Sequence, residues 1–292
     1  MRKSFPAAEL TALLGAAPVR REDIVGGGYG MNTRRWRVLL GDGRSVFVKV
    51  ALDELAAGWL RAEHVVYRSA ARPFLPRFVG WHDDTDTFLV IEDLGDAYWP
   101  PPWTKERIEA VRATLDEVHR TAPPEGLPTL ESVRERLDGW ALVSAEPRPL
   151  LSTGLCTEEW LHTALPTLCR AAAACRLAGH ALLHLDVRSD NICFREDAVL
   201  LVDWNLACVG DPLLDLVFWL PSLKLEDGPD PWEVVPDSGG LAALVAGFFA
   251  SRAGLPVPRT APRVREFQRQ QAEVALPWAA RELGLPPPIQ ET

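Results

Sequence analysis

Asp186, Asn191 and Asp203 are the residues of this chain whose types and spacing best suit chemistry. His184-Leu185-Asp186-Val187-Arg188-Ser189-Asp190-Asn191 is followed closely by Leu200-Leu201-Val202-Asp203-Trp204, so a carboxamide and two carboxylates fall on adjacent turns flanked by β-prone sequence. Moving a phosphoryl group from a nucleoside triphosphate needs a divalent metal held by hard oxygen ligands, and one carboxylate kept beside the acceptor hydroxyl. Asn191 and Asp203 suit the metal, Mg2+. Asp186 suits the acceptor; because the transition state is loose, it is expected to orient the hydroxyl and to take its proton late. His184 reads as support for the turn through backbone hydrogen bonds. Arg188 could stabilise charge on the transferring phosphate or pair with Asp190 at the surface, and the spacing leaves both open.

The elements that must position these groups are readable upstream. Trp36–Leu40 and Ser45–Val50 read as strands joined by Gly41-Asp42-Gly43-Arg44, since Asp-Gly is a hairpin signal. Before them stands Gly26-Gly27-Gly28-Tyr29-Gly30-Met31-Asn32, where Gly27, Gly28 and Asn32 are candidates to bring backbone amides against phosphates without obstruction. In Val46-Phe47-Val48-Lys49-Val50 a period of two puts the valines on one face and Lys49 with Phe47 on the other. Strands at about 77–81 and 87–92 complete a small sheet. Helical periods then take over at 104–121, 129–144 and 157–177, each with a threonine placed to cap it, and again at 241–250 and 264–283. Pro166 is expected to kink or split its helix, and Pro277 to interrupt the last one.

The pattern H-x-D-x-x-x-x-N followed by D-W resembles the catalytic and metal-binding segments of the aminoglycoside phosphotransferase and choline kinase group, within the protein-kinase-like fold. Asp203-Trp204-Asn205-Leu206-Ala207-Cys208-Val209-Gly210-Asp211-Pro212-Leu213-Leu214-Asp215-Leu216 carries every fixed letter of their D-W-x-x-A-x-x-G-D-P-x-x-D-L pattern. The resemblance implies an α+β, two-lobed fold. A small antiparallel-sheet lobe, residues 1–93, would grip the nucleotide, and a larger, mainly helical lobe, residues 94–292, would carry catalysis and bind the acceptor. It implies that Lys49 grips phosphate, with Glu63 (or the nearby Glu54) as its ion-pair partner. It also implies that backbone groups of Glu92 and Leu94 meet the base of ATP or GTP. Leu185 and Asp190 stand where glycine or a small residue is common, and Asn205 where glutamate often follows the tryptophan. These departures spare the metal ligands and bear on which acceptor is used. Asp211 and Asp215 are expected to be helix-anchoring acids.

Composition narrows the partners. The 292 residues, 47% hydrophobic, suffice for a large core. Arg2 and Lys3 precede an apolar stretch that Glu9 interrupts, so an amphipathic opening helix is expected in place of a membrane segment. Five cysteines without C-x-x-C spacing point to reduced, buried thiols and a cytoplasmic setting. The net charge of −9 is uneven: residues 1–90 hold 13 basic against 10 acidic side chains, residues 91–292 hold 18 against 30. Such an acidic second part either simply keeps the protein soluble or attracts a cationic, hydroxyl-bearing acceptor, an aminoglycoside-like antibiotic or an amine metabolite, and it repels nucleic acid. The 11 tryptophans read as core anchors. A protein kinase is disfavoured, because Gly210-Asp211-Pro212 follows Asp203 too soon for a long activation segment. A nucleotide-binding pseudokinase acting as scaffold or sensor is the alternative, and loss of a metal ligand would favour it.

Overall fold

The computed structural model describes residues 5–24, 32–69 and 72–289. The chain opens with α1 (Ala7–Leu14), β1 (Pro18–Asp23), β2 (Thr33–Leu40), β3 (Ser45–Ala51), α2 (Glu54–Tyr67), β4 (Phe78–Asp83) and β5 (Thr87–Glu92). The strands form one antiparallel sheet in the order β1-β2-β3-β5-β4. At the β2–β3 hairpin Gly43 takes φ +87°, a conformation open to glycine at little cost. Period two then sorts the side chains. Trp36, Val38 and Leu40 join Val46, Val48, Val50, Phe88 and Val90 in a core with Leu10 of α1. On the other face Arg35, Lys49 and Leu89 lie in one cross-strand row. Asp53 caps α2 by accepting from the Ala56 N–H at 2.9 Å. The first turns of that helix pack Ala56, Ala57 and Leu60 with Ala51.

Then follow α3 (Lys105–Arg120), a 3-10 segment (Leu130–Arg136), α4 (Gly139–Ala145), α5 (Arg148–Leu151), α6 (Glu158–Ala173), β6 (Ala181–Leu183), β7 (Ile192–Arg195), β8 (Ala198–Leu201) and β9 (Cys208–Gly210). The chain ends with α7 (Leu213–Leu225), α8 (Pro231–Val234), α9 (Gly239–Ala253) and α10 (Val264–Glu282). Two compact units result. The first comprises Met1–Pro100, Pro123–Leu127 and Ser189–Ala207; the second comprises Pro101–Ala122, Pro128–Arg188 and Cys208–Thr292. The first thus takes in the β7–β8 hairpin and the turn that bears Asp203 as well as the sheet. The second holds α3 to α10 and the short β6–β9 pair.

Two sequence expectations fail on helix continuity, and at Pro166 the split allowed for does not occur. The stretch 129–144 is not one helix: Val133 leaves helical geometry, and a fresh start at α4 is capped by Asp138, which accepts from the Ala141 N–H. Pro166 does not split α6, nor Pro277 α10. A proline inside a helix costs about 3 kcal/mol locally, but α6 buries Trp160, Leu161, Ala164, Leu168 and Ala172 on both sides of Pro166. α10 likewise buries Ala272, Ala275, Leu276, Trp278, Ala279 and Ala280 around Pro277. Tertiary packing of the apolar face outweighs the lost hydrogen bond. Thr104, Thr129 and Thr157 all cap as expected.

Burial raises the thiol pKa values of Cys193 and Cys208 to about 12 and of Cys156 and Cys175 to about 11. Cys169 alone is partly exposed. Alkylation by iodoacetamide at pH 8, read by peptide mass spectrometry, should therefore mark Cys169 first and the other four only on unfolding. Early labelling of Cys193 or Cys208 would contradict this packing. Among the described residues, no helix is long and apolar enough to cross a membrane.

Candidate active site

Lys49 is buried, at 4% exposure, in a strand flanked on both sides, so it is no solvated edge lysine. Its Nζ donates to Glu63 Oε2 at 2.8 Å and to Asp203 Oδ1 at 2.7 Å. Burial opposes the charge on Lys49, but the two carboxylates outweigh it and raise its pKa, so the ammonium persists. For Glu63 burial dominates and pushes the carboxyl up, against the pull of Lys49. Glu63, not Glu54, is the partner: Glu54 sits in the first turn of α2 and reaches Arg61 at 2.5 Å on the surface.

Asp203 stands at φ +65°, ψ +55°, a left-handed conformation that costs a non-glycine residue about 1–3 kcal/mol. Local packing holds it there. Trp204 is fully buried against Phe74, and its indole N–H donates to the Leu201 carbonyl at 2.9 Å. Asn205 Nδ2 donates to Asp203 Oδ1 at 2.7 Å, so this oxygen serves both Asn205 and Lys49. Asn191 is 3% exposed, and its carbonyl accepts from the Val202 N–H at 3.0 Å, which ties the two candidate metal-binding segments together one residue before Asp203. Magnesium keeps several waters and phosphate oxygens and asks for only one or two protein oxygens. An amide and a carboxylate fit that demand. Among the described residues no group of three or more His, Cys, Asp or Glu side chains could hold a metal without such help.

In the second unit, Asp186 lies on a turn built around one buried acid. Asp215, fully buried in the first turn of α7, accepts from the His184 N–H at 3.1 Å, the Leu185 N–H at 2.6 Å and His119 Nε2 at 2.9 Å. The Asp186 N–H in turn donates to His184 Nδ1 at 3.2 Å. Leu185 has φ +60°, which explains why glycine suits this position; here leucine accepts the strain. Arg188 is 8% exposed, with Nε 3.3 Å from Asp186 Oδ1 and its guanidinium 5.1 Å from the centre of the Phe267 ring. Gly210 is fixed by packing: a Cβ there would meet Leu183 Cδ1 at 2.9 Å and Leu130 Cβ at 3.1 Å. Asp211 accepts from the Leu213 N–H at the start of α7.

The remaining candidates are placed unevenly. Gly27 and Gly28 lie outside the described residues. Asn32 donates through Nδ2 to Asp53, the cap of α2. Glu92 ends β5, and the Leu94 carbonyl accepts from the Ala97 N–H at 3.1 Å and the Trp99 indole at 3.4 Å. Sequence reasoning missed His119, Arg37 and Arg195. His119 falls in the last turn of an ordinary amphipathic helix, and nothing local signals a partner 96 residues away.

A sheet lysine ion-paired to a helix glutamate, with an H-x-D turn and a D-W turn downstream, defines a protein-kinase-like fold, two-lobed and α+β. Similar solved structures bear this out. A choline/ethanolamine kinase family protein from Mesorhizobium loti aligns at TM-score 0.60 and 17% identity, over 95% of this chain and 97% of that one. An ADP-bound aminoglycoside phosphotransferase aligns at 0.52 and 15%, over 92% and 96%. A choline kinase from Cryptosporidium parvum aligns at 0.51 and 10%, over 91% and 88%. Residues 27–252 match the phosphotransferase enzyme family, and the chain belongs to it. No curated protein matches the chain.

Proposed function

We propose that this phosphotransferase moves the terminal phosphate of ATP or GTP to a hydroxyl of a small cationic acceptor, an aminoglycoside-like antibiotic or an amine metabolite. The observation that carries the reading is the buried pair Lys49 and Glu63 joined to the partly buried Asp203, an arrangement costly to desolvate and justified by a polyanionic ligand. Lys49 meets phosphate oxygens, held in place by Glu63. Gly27 and Gly28 bring backbone amides to the phosphates, with Asn32 at the end of that stretch. Glu92 and Leu94 offer backbone groups to the base. Asn191 and Asp203 hold Mg2+, which neutralises phosphate charge when bound. Residues 1–93 serve chiefly the nucleotide and 94–292 the acceptor.

The acceptor oxygen forms a bond to the terminal phosphorus as the bridging P–O bond breaks. The proton passes to Asp186, and the nucleoside diphosphate leaves. Arg188, beside Asp186, steadies the charge of that carboxylate and of the transferring group. Retention of Lys49, Asn191 and Asp203 weighs against the pseudokinase reading. Buried, reduced thiols support a cytoplasmic setting.

The test is a coupled kinase assay with ATP and with GTP across amino sugars, neutral sugars, choline-like amines, nucleosides and sugar acids. The excess of 30 acidic over 18 basic side chains beyond residue 90 leads us to expect turnover on amines and aminoglycosides. Turnover confined to anionic acceptors would overturn the charge argument, and none on any acceptor would return the pseudokinase reading.

A further inference from the structure

Glu92-Asp93-Leu94-Gly95-Asp96 carries three acids in five residues, and two arginines distant in sequence hold all three. Arg195 of β7 donates through Nη1 to Glu92 Oε2 at 3.0 Å, and through Nη2 to the Asp93 carbonyl at 2.6 Å and Asp96 Oδ1 at 2.7 Å. Arg37 of β2 donates through Nε to Asp93 Oδ1 at 3.0 Å, and Ser45 Oγ takes the other oxygen at 2.7 Å. A Cβ on Gly95 would fall 1.9 Å from Arg37 Nη2, so the guanidinium occupies the space a side chain would need. The other oxygen of Glu92 accepts from the Arg77 N–H at 2.6 Å. Just beyond, Tyr98 and Phe194 exchange backbone hydrogen bonds of 2.8 Å in both directions, which fastens the segment to β7.

We infer that Arg195 is a positioning residue for the nucleotide: it fixes the Glu92–Asp96 segment in the shape that presents backbone groups to a purine base. The inference rests on the reading above, in which Glu92 and Leu94 meet the base. Three carboxylates so close repel one another and spread the segment over many conformations when unpaired. Fixing each residue of such a segment costs backbone entropy. A ligand that needs one conformation binds more weakly in proportion to how rarely that conformation occurs. Arg195 removes that cost before the nucleotide arrives. Its three acceptors lie on three residues, and one of them is a backbone carbonyl, so its reach controls the chain path as well as the charge.

The test measures AMP-PNP binding with Mg2+ by calorimetry, and inorganic tripolyphosphate binding by displacement of AMP-PNP, in wild type, Arg195→Met, Arg195→Lys and Asp96→Asn. Tripolyphosphate keeps the phosphate contacts and lacks the base. Arg195→Met should weaken AMP-PNP about tenfold while leaving tripolyphosphate within about twofold. Arg195→Lys, which keeps the charge and loses the fork, should fall between. Asp96→Asn, at the most exposed of the three acceptors, should do least. Hydrogen exchange across 93–98 should quicken in Arg195→Met. Equal affinity of wild type and Arg195→Met for AMP-PNP overturns the inference, as does equal weakening of AMP-PNP and tripolyphosphate. If wild type binds no AMP-PNP, the nucleotide reading itself fails, a separate result.

Discussion

Asp203→Ala is expected to lower turnover by at least about 10³-fold while the protein still folds, because the substitution removes a carboxylate that pairs with Lys49 and that, in the proposed reading, would also hold Mg2+. Each tenfold loss corresponds to about 1.4 kcal/mol of transition-state stabilisation. Loss of a charge clamp on a transferring phosphoryl group is worth several kcal/mol. The fold should survive: Lys49 keeps Glu63 at 2.8 Å, and Trp204 keeps its bond to Leu201. Asp203→Asn is the sharper companion, since asparagine tolerates the left-handed backbone that Asp203 adopts while removing the charge. Initial rates across a magnesium titration, beside thermal melts of each variant, decide the matter. Wild-type turnover in Asp203→Ala would remove the metal assignment and with it the proposed function.

Much of this site is legible in the sequence because its positioning is local. A period of two in Val46-Phe47-Val48-Lys49-Val50 is enough to turn Lys49 away from the valines, and all three valines are in the core. The D-W pair is legible for a similar reason, since one of the contacts that pin the turn, the Trp204 indole bond to the Leu201 carbonyl, is local. Glu63 and Glu54 could not be separated until the register of α2 was fixed by the Asp53 cap. That cap puts Glu54 in the exposed first turn and buries Glu63 on the inner face.

What stayed hidden is long-range or counter to local preference. Every residue of β1 after Pro18 is exposed, and four of its six residues are charged, Arg20-Arg21-Glu22-Asp23; such an edge strand shows no apolar alternation. Its pairing with β2 supplies the missing cause. Pro166 and Pro277 argue for breaks that only the packing of their helices overrules. Arg195 meets acids 99 to 103 residues away, and Asp215 meets His119 across 96. No window of sequence contains either set. Leu185 is a different case, a departure from glycine that looked like a change in acceptor pocket. Its φ of +60° also makes it a strained position in the Asp186 turn.

The same turn sets the second large expected effect. Asp186→Asn should lower turnover on the preferred acceptor by about 10² to 10⁴-fold, the range of a positioned acid–base group, with nucleotide affinity unchanged. Asparagine nearly matches the shape and can keep the backbone bond from the Asp186 N–H to His184 Nδ1, so Asp215 continues to hold the turn. It cannot take the hydroxyl proton, and it removes the carboxylate charge 3.3 Å from Arg188 Nε. Because the transition state is loose, the loss should be greater for an alcohol acceptor than for water, which needs less orientation. Comparing acceptor phosphorylation with acceptor-free nucleotide hydrolysis in Asp186→Asn and wild type separates these terms. A parallel fall in both would make Asp186 a general electrostatic element, and no fall in either would take it out of the reaction.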